Sequence, residues 1–267
     1  MKNKIFITIA LIALCCWACK KDSKLLDENN KYQLIDNTVS QVKFTHVFPA
    51  LTPNASTTAP SGPRFRIFIN GNKIDGTVNT SALTNALSFG STFPFTPYLS
   101  LQPGSNKIEC IVNRVSTTGT FAPIAGDTVV NTTINFEAGK RYSVFLADSP
   151  DPGVLTLENN FTIPAEKKFS VRLVNLCADI ADKYDILSKR YGTVFTNVGY
   201  KEVKDYMMFD QTELSDTLTL VKTGTTTALA TVNTFSGTAQ QVYTFYIYGK
   251  TSVGATRKPA LNFFPMR

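Results

Sequence analysis

An apolar run without a charge, residues 5–18, lies near the start of the chain and is followed by a polar stretch to about Ser40. Beyond that, short apolar or alternating runs recur between clusters of Gly, Pro, Asn and Asp. Runs of this length and spacing predict the strands of a sandwich or barrel. Val42-Lys43-Phe44-Thr45-His46-Val47-Phe48 alternates, as does Phe65-Arg66-Ile67-Phe68-Ile69 just ahead of the hairpin signal Asn70-Gly71. Further strands are predicted at residues 98–101, 107–113, 129–136 and 142–146. Residues 50–63, rich in Pro, Thr, Ser and Ala and without periodicity, read as a mobile surface loop.

A second set of strands begins near Phe169 and mirrors the first in order. Val171-Arg172-Leu173-Val174-Asn175 parallels Val42-Lys43-Phe44-Thr45-His46, and Tyr184-Asp185-Ile186-Leu187 parallels Phe65-Arg66-Ile67-Phe68. Val198-Gly199 and then Tyr206 echo Phe89-Gly90 and then Tyr98, while Tyr243-Thr244-Phe245-Tyr246-Ile247 echoes Tyr142-Ser143-Val144-Phe145-Leu146. Each set closes with a return strand, near 154–157 and near 260–264. The duplication predicts two modules, residues 41–161 and 167–267, joined by the polar Pro164-Ala165-Glu166-Lys167-Lys168. At about 100 residues each, a sandwich can bury its own core. A modest, polar junction with relative motion is expected unless the modules pack tightly.

Composition agrees with an all-β body: 43% of residues are hydrophobic and 11% aromatic, enough for packed cores, and Thr, Val, Ile, Phe and Tyr recur throughout. The formal charge is +7, of which Lys2 and Lys4 lie ahead of the apolar run. Basic residues past Lys20, Lys21 and Lys24 are scattered, without the basic, aromatic-interleaved blocks of a nucleic-acid interface, so no nucleic-acid partner is expected. Cys110 shares a strand face with Ile108 and Val112 and is expected, like Cys177, to be a buried free thiol.

Lys2 and Lys4 before the apolar run read as a signal peptide, residues 1–18, too short to span a bilayer, which takes about 20 residues. Ala18-Cys19 followed by Lys20-Lys21-Asp22 resembles a lipobox, which implies cleavage before Cys19 and diacylglycerol on its thiol. Residues 19–40 then form a flexible tether with a reach of roughly 25 Å. Lys20, unlike an inner-membrane retention signal, favours the outer membrane, facing periplasm or cell exterior.

Past Ser40 the chain resembles the domain-of-unknown-function family 4397, whose members are often tandem, exported and lipid-anchored. The resemblance rests on the opening strand followed by His or Asn, the strand before Asn70-Gly71, Phe89-Gly90-Ser91 leading to Tyr98-Leu99-Ser100-Leu101, Pro103-Gly104, and Gly139-Lys140-Arg141-Tyr142. In the second module Val171-Arg172-Leu173-Val174-Asn175 and Tyr200-Lys201-Glu202-Val203 carry it. It implies two tandem immunoglobulin-like antiparallel β-sandwich domains and no agreed activity. Arg66 stands where the family often has Asp, a position that Asp185 holds in the second module.

Chemistry-bearing residues are sparse. The single histidine, His46, falls on a predicted strand without a G-x-S-x-G elbow and reads as structural. Asp179, Asp182 and Asp185 form the densest acidic group, but their spacing is not that of an EF-hand loop, and no metal is expected. Phe93 and Phe95, in Phe93-Pro94-Phe95-Thr96-Pro97-Tyr98, replace the small residues usual in the family and are candidates for a contact surface. Tyr98 and Tyr206 follow the family pattern. The weak ligand-binding candidates are therefore Phe93, Phe95, Asp179 and Asp182. The expected function is a non-enzymatic envelope lipoprotein that binds a glycan or an envelope protein, or serves structural display, without a cofactor. The alternative is a hydrolase of envelope or extracellular polysaccharide using the Asp179, Asp182 and Asp185 carboxylates, which would have to converge on one cleft.

Overall fold

A computed structural model describes residues 37–49, 64–74, 86–112, 128–148, 152–212, 214–253 and 257–267. The predicted signal and most of the tether, with Cys19, and the predicted loop 50–63 lie outside the described residues.

The described residues are nearly all β and form four sheets. In the first sandwich, β1 (Ser40–Val47), β5 (Thr92–Phe93), β6 (Leu99–Leu101), β9 (Arg141–Asp148) and β10 (Pro152–Glu158) make an inner sheet in the order β10-β9-β1-β5, with β6 also on β1. Its outer sheet holds β2 (Arg64–Ile69), β3 (Asn72–Lys73), β4 (Leu87–Ser88), β7 (Gly104–Val112) and β8 (Thr128–Phe136), ordered β3-β2-β7-β8 with β4 on β2. The second sandwich repeats this plan. Its inner sheet is β14 (Val203–Asp210), β11 (Lys168–Cys177), β17 (Val242–Gly249) and β18 (Ala260–Pro265) in that order. Its outer sheet is β13 (Gly192–Val198), β12 (Tyr184–Ser188), β15 (Asp216–Lys222) and β16 (Ala228–Phe235).

One pairing in each inner sheet is parallel: β1 runs with β9, Val42 opposite Tyr142, and β11 runs with β17, Val171 opposite Tyr243. A parallel neighbour needs a long crossover, and here the chain passes twice through the outer sheet, returning between passes to the inner one as β5 and β6 or as β14. The remaining pairings are antiparallel.

Each sandwich has its own core. Val42, Phe44, Phe65, Ile67, Ile108, Cys110, Phe136 and Val144 fill the first, and Leu173, Cys177, Tyr184, Ile186, Leu220, Phe235 and Phe245 fill the second. Cys110 and Cys177 are buried free thiols in these separate cores. Outer strands such as β2 and β12 alternate between covered and partly covered residues, because only one face is packed. The inner strands do not alternate. All of β1 except Gln41 is buried, and β11 is buried from Phe169 onward. The second faces of the two inner sheets meet in a third core made of Val47, Phe145, Ala147, Val174, Leu176, Val242, Tyr246, Phe264 and Met266. The junction thus contains a packed apolar core, and residues 36–267 form one compact unit.

Gly90 sits where the sandwiches touch. Its carbonyl accepts from Tyr246 Oη at 2.7 Å and from Asn262 Nδ2 at 2.9 Å. Its φ of +75° is left-handed, and a Cβ there would lie 2.5 Å from the Tyr248 ring. Only glycine meets both conditions. This gives a physical reason for the Phe89-Gly90-Ser91 motif.

Candidate functional site

Lys43 stands on the face of β1 turned away from the first core, and it is fully buried. Its neighbours keep register with the opposite strand, Val42 with Leu99 and Phe44 with Phe93. Residues 94–98 therefore bulge out opposite Lys43 alone. Pro94 and Pro97 bring no N–H with which to continue the ladder, and the loop's carbonyls turn inward instead. Lys43 Nζ donates to the carbonyls of Pro94 (3.2 Å), Phe95 (2.6 Å), Thr96 (2.9 Å) and Pro97 (2.8 Å), and lies 4.7 Å from the centre of the Tyr98 ring. Burial pushes Lys43 down from 10.5 to about 7. No Asp or Glu approaches Nζ among its described contacts. The group stays soluble in the protein because four carbonyl dipoles point at it.

This cage holds Phe95 outward. Its ring is 53% exposed, and Thr96 and Pro97 beside it are exposed as well. Phe93 goes the other way: on β5, half-buried, it packs against the first core. The two candidate rings thus separate into one that packs on the core and one that is exposed. Tyr98 closes the loop, its hydroxyl accepting from Asn159 Nδ2 at 3.3 Å, and burial raises its pKa.

The second sandwich carries an irregularity at the same place. Val171 pairs with Met207 and Leu173 with Lys204, so Asp205 and Tyr206 together face Arg172, a β-bulge. Arg172 lies 5.5 Å from the centre of the Tyr206 ring, as Lys43 does over Tyr98, but its donors cross the junction. They reach Asn159 Oδ1 (2.5 Å), Ser143 Oγ (3.2 Å) and the Glu158 carbonyl (3.4 Å) of the first sandwich, and Thr244 Oγ1 (2.9 Å) of its own. Burial lowers its pKa from the usual value, yet a guanidinium stays charged.

The acidic candidates do not meet. Asp179 Oδ2 accepts from the Thr251 backbone N–H (2.8 Å) and hydroxyl (2.6 Å), Asp182 pairs with Lys222 at 2.5 Å, and Asp185 accepts from Asn197 N (2.7 Å) and Thr223 Oγ1 (2.5 Å). Each carboxylate has separate hydrogen-bond or ion-pair partners among the described residues. No group of three His, Cys, Asp or Glu side chains suited to a metal occurs among the described residues. His46 is fully buried, its ring against Phe65 and its Nδ1 accepting from Phe48 N at 3.3 Å. Asn175, its counterpart, accepts in the same way from Cys177 N at 2.9 Å.

Sequence reasoning missed Lys43 and Arg172, because a charged residue within an alternating strand reads as solvent-facing. The available signal was the recurrence of a cation at one position in both sets, Val42-Lys43-Phe44 and Val171-Arg172-Leu173.

Residues 60–186 match the model of the family described as Domain of unknown function (DUF4397). The match runs from just before β2 into β12, taking in strands of both sandwiches and supporting the family resemblance. No curated protein matches. Among solved structures, the chain is similar to the Bacillus anthracis TIE protein, at 10% identity with a TM-score of 0.20, over 80% of this chain and 34% of that one. It thus spans about a third of that protein's length. A family CBM26 module from Eubacterium rectale Amy13K, in complex with maltoheptaose, is 9% identical, with a TM-score of 0.24, over 85% of this chain and 96% of that one. A candidate cell adhesion protein from Bacteroides fragilis NCTC 9343 is 11% identical, with a TM-score of 0.19, over 85% of this chain and 98% of that one.

Proposed function

We propose that the chain is a non-enzymatic binding protein of the bacterial cell envelope, held at the outer membrane by lipid on Cys19, and that the Phe95 loop is its contact surface for a glycan. The observation carrying this reading is the Lys43 cage, which fixes four successive carbonyls and leaves Phe95 exposed. A loop already ordered loses little conformational freedom on binding. A flat exposed ring with a neighbouring hydroxyl, Thr96, can stack on a sugar face and hydrogen-bond its edge.

The test is a glycan array probed with the full chain in detergent, beside a Phe95→Ala variant that unfolds at the same temperature. Glycans held by the first and lost by the second support the reading. An array blank for both leaves structural display or a protein partner, and hits that Phe95→Ala leaves unchanged remove the loop as the glycan site. The anchor is tested separately: metabolic labelling with a fatty-acid analogue is expected to mark the chain and to fail in Cys19→Ser.

A further inference from the structure

A second concave site lies on the outer sheet of the second sandwich, away from the Phe95 loop in sequence and built from different chemistry. Lys189, Arg190, Ser215, Asp216, Thr217 and Asn233 line a cleft of about 310 Å³. That volume is at the lower end of small-ligand sites, about 300–1,000 Å³. Its floor is a fixed knot. Asp216, buried at 5% exposure, accepts from Ser188 Oγ (2.5 Å), Arg190 N (3.2 Å) and Thr217 N (2.8 Å), while Ser188 Oγ also accepts from Arg190 N (3.0 Å) and Tyr191 N (2.7 Å). The Lys189 backbone is tied to the Thr217 carbonyl at 2.9 Å. The turn bearing both cations is therefore set before any ligand arrives.

The rim differs from the floor. Lys189, Arg190, Ser215 and Asn233 are exposed. Lys189 has no ion pair among the described residues, and the side-chain bond recorded for Arg190 is one long contact from Nη2 to the Ser215 carbonyl, 3.4 Å. Asp216 is the sole carboxylate of the lining, and its oxygens are already occupied by the knot. A ligand entering the cleft meets a guanidinium, an ammonium, hydroxyls and an amide. A guanidinium fork donates two parallel bonds to a planar carboxylate, and the hydroxyls and amide can serve a ligand rich in hydroxyl groups.

We infer that this cleft binds an acidic saccharide unit, its anionic group on Arg190 and Lys189 and its hydroxyls toward Ser215, Thr217 and Asn233. The inference rests on the reading that glycans are the partners of this protein, but not on the Phe95 loop. The test is calorimetric titration of the full chain in detergent with three probes of equal length: an oligogalacturonate, a sulfated oligosaccharide and a neutral oligosaccharide. Binding of an acidic probe, absent for the neutral one and weakened at high salt, is expected, and which acidic probe binds tells carboxylate from sulfate. Arg190→Gln and Lys189→Gln, both at exposed positions, are each expected to weaken it at least tenfold. Asn233→Asp, which adds a repelling charge, is expected to abolish it, and Phe95→Ala to leave it unchanged. Equal binding of the neutral probe, no binding of either acidic probe, or full affinity in Arg190→Gln overturns the inference. Array hits that Phe95→Ala loses, with no acidic probe bound in the titration, would overturn this site while leaving the Phe95 reading in place.

Discussion

Lys43 and Arg172 occupy one position in two sandwiches of the same strand order, each opposite the place where the neighbouring strand loses register and each set over a tyrosine. Lys43 faces five residues and turns its amine into them, holding a loop of its own sandwich. Arg172 faces a bulge of only two residues, Asp205 and Tyr206, which leaves its guanidinium reaching across to Ser143, Glu158 and Asn159. The length of the irregularity thus decides whether the buried cation shapes a loop or fastens a junction. One scaffold yields an exposed, ordered loop on one side and a structural clamp on the other.

The largest test of that contrast is to separate the halves. Residues 40–161 expressed alone would expose Val47, Phe145 and Ala147, and residues 167–267 alone would expose Val174, Leu176, Tyr246 and Phe264, all buried in the third core. The intact chain is expected to unfold in urea as one transition. Each half should be insoluble or melt far earlier; two halves as stable as the parent would show that the third core adds nothing.

Next in size is Arg172→Met, which strands Asn159, Ser143 and the Glu158 carbonyl without their charged donor and should cost about 3–5 kcal/mol in urea unfolding. Lys43→Met leaves four carbonyls without a donor, and about 2–4 kcal/mol is expected, with faster hydrogen exchange confined to residues 94–98. The two cations also differ in pH dependence. Because Lys43 is lowered to about 7 from 10.5, the unfolded chain keeps a proton that the native lysine has released, and stability should rise with pH above 7 by up to about 1.4 kcal/mol per unit. Cys177, raised from 9.0 to about 11 by burial, acts in the opposite direction above pH 9. The clean window is therefore pH 7–9. Lys43→Met should flatten the slope there and Arg172→Met should not; an unchanged slope in Lys43→Met would reassign it.

Gly90→Ala, which places a methyl against Tyr248 at a left-handed φ, is expected to cost about 2–3 kcal/mol. The smallest contrast concerns the tyrosines. Tyr98→Phe removes the hydroxyl that accepts from Asn159 and should cost about 1 kcal/mol. The buried Tyr206 hydroxyl has no hydrogen-bond partner among the described residues, so Tyr206→Phe should be neutral or stabilising. Equal effects would mean that the two bulges are not distinguished at this level.

Much of the fold was legible. The alternating runs gave the outer strands β2, β7 and β12, and the shared face of Ile108, Cys110 and Val112 placed Cys110 in a core, where it lies at 0% exposure. The third core was less visible, although Tyr142-Ser143-Val144-Phe145-Leu146-Ala147 and Val242-Tyr243-Thr244-Phe245-Tyr246-Ile247 are apolar at nearly every position, the pattern of a strand covered on both faces. Parallel pairing could not be read, since it depends on how many times the chain crosses between sheets. Of the candidate site, Phe95 was visible as an aromatic where the family that the chain resembles usually has a small residue. The Lys43 cage was not, because its acceptors are backbone carbonyls, and any sequence supplies those.

The third core also governs how the chain must reach its native state. Its polar contacts join residues remote in sequence: Tyr246 to Gly90 across 156 positions, Tyr98 to Met266 across 168, and Arg257 to Pro49 across 208. Closure of such long loops has to be met before their contacts give anything back, and proteins dominated by them fold in milliseconds to seconds or longer. Each sandwich can close its hydrogen-bonded ladders first. The layer between them is expected to form last, and a refolding experiment in which dye binding to bare apolar faces rises and then falls before native fluorescence returns would check it.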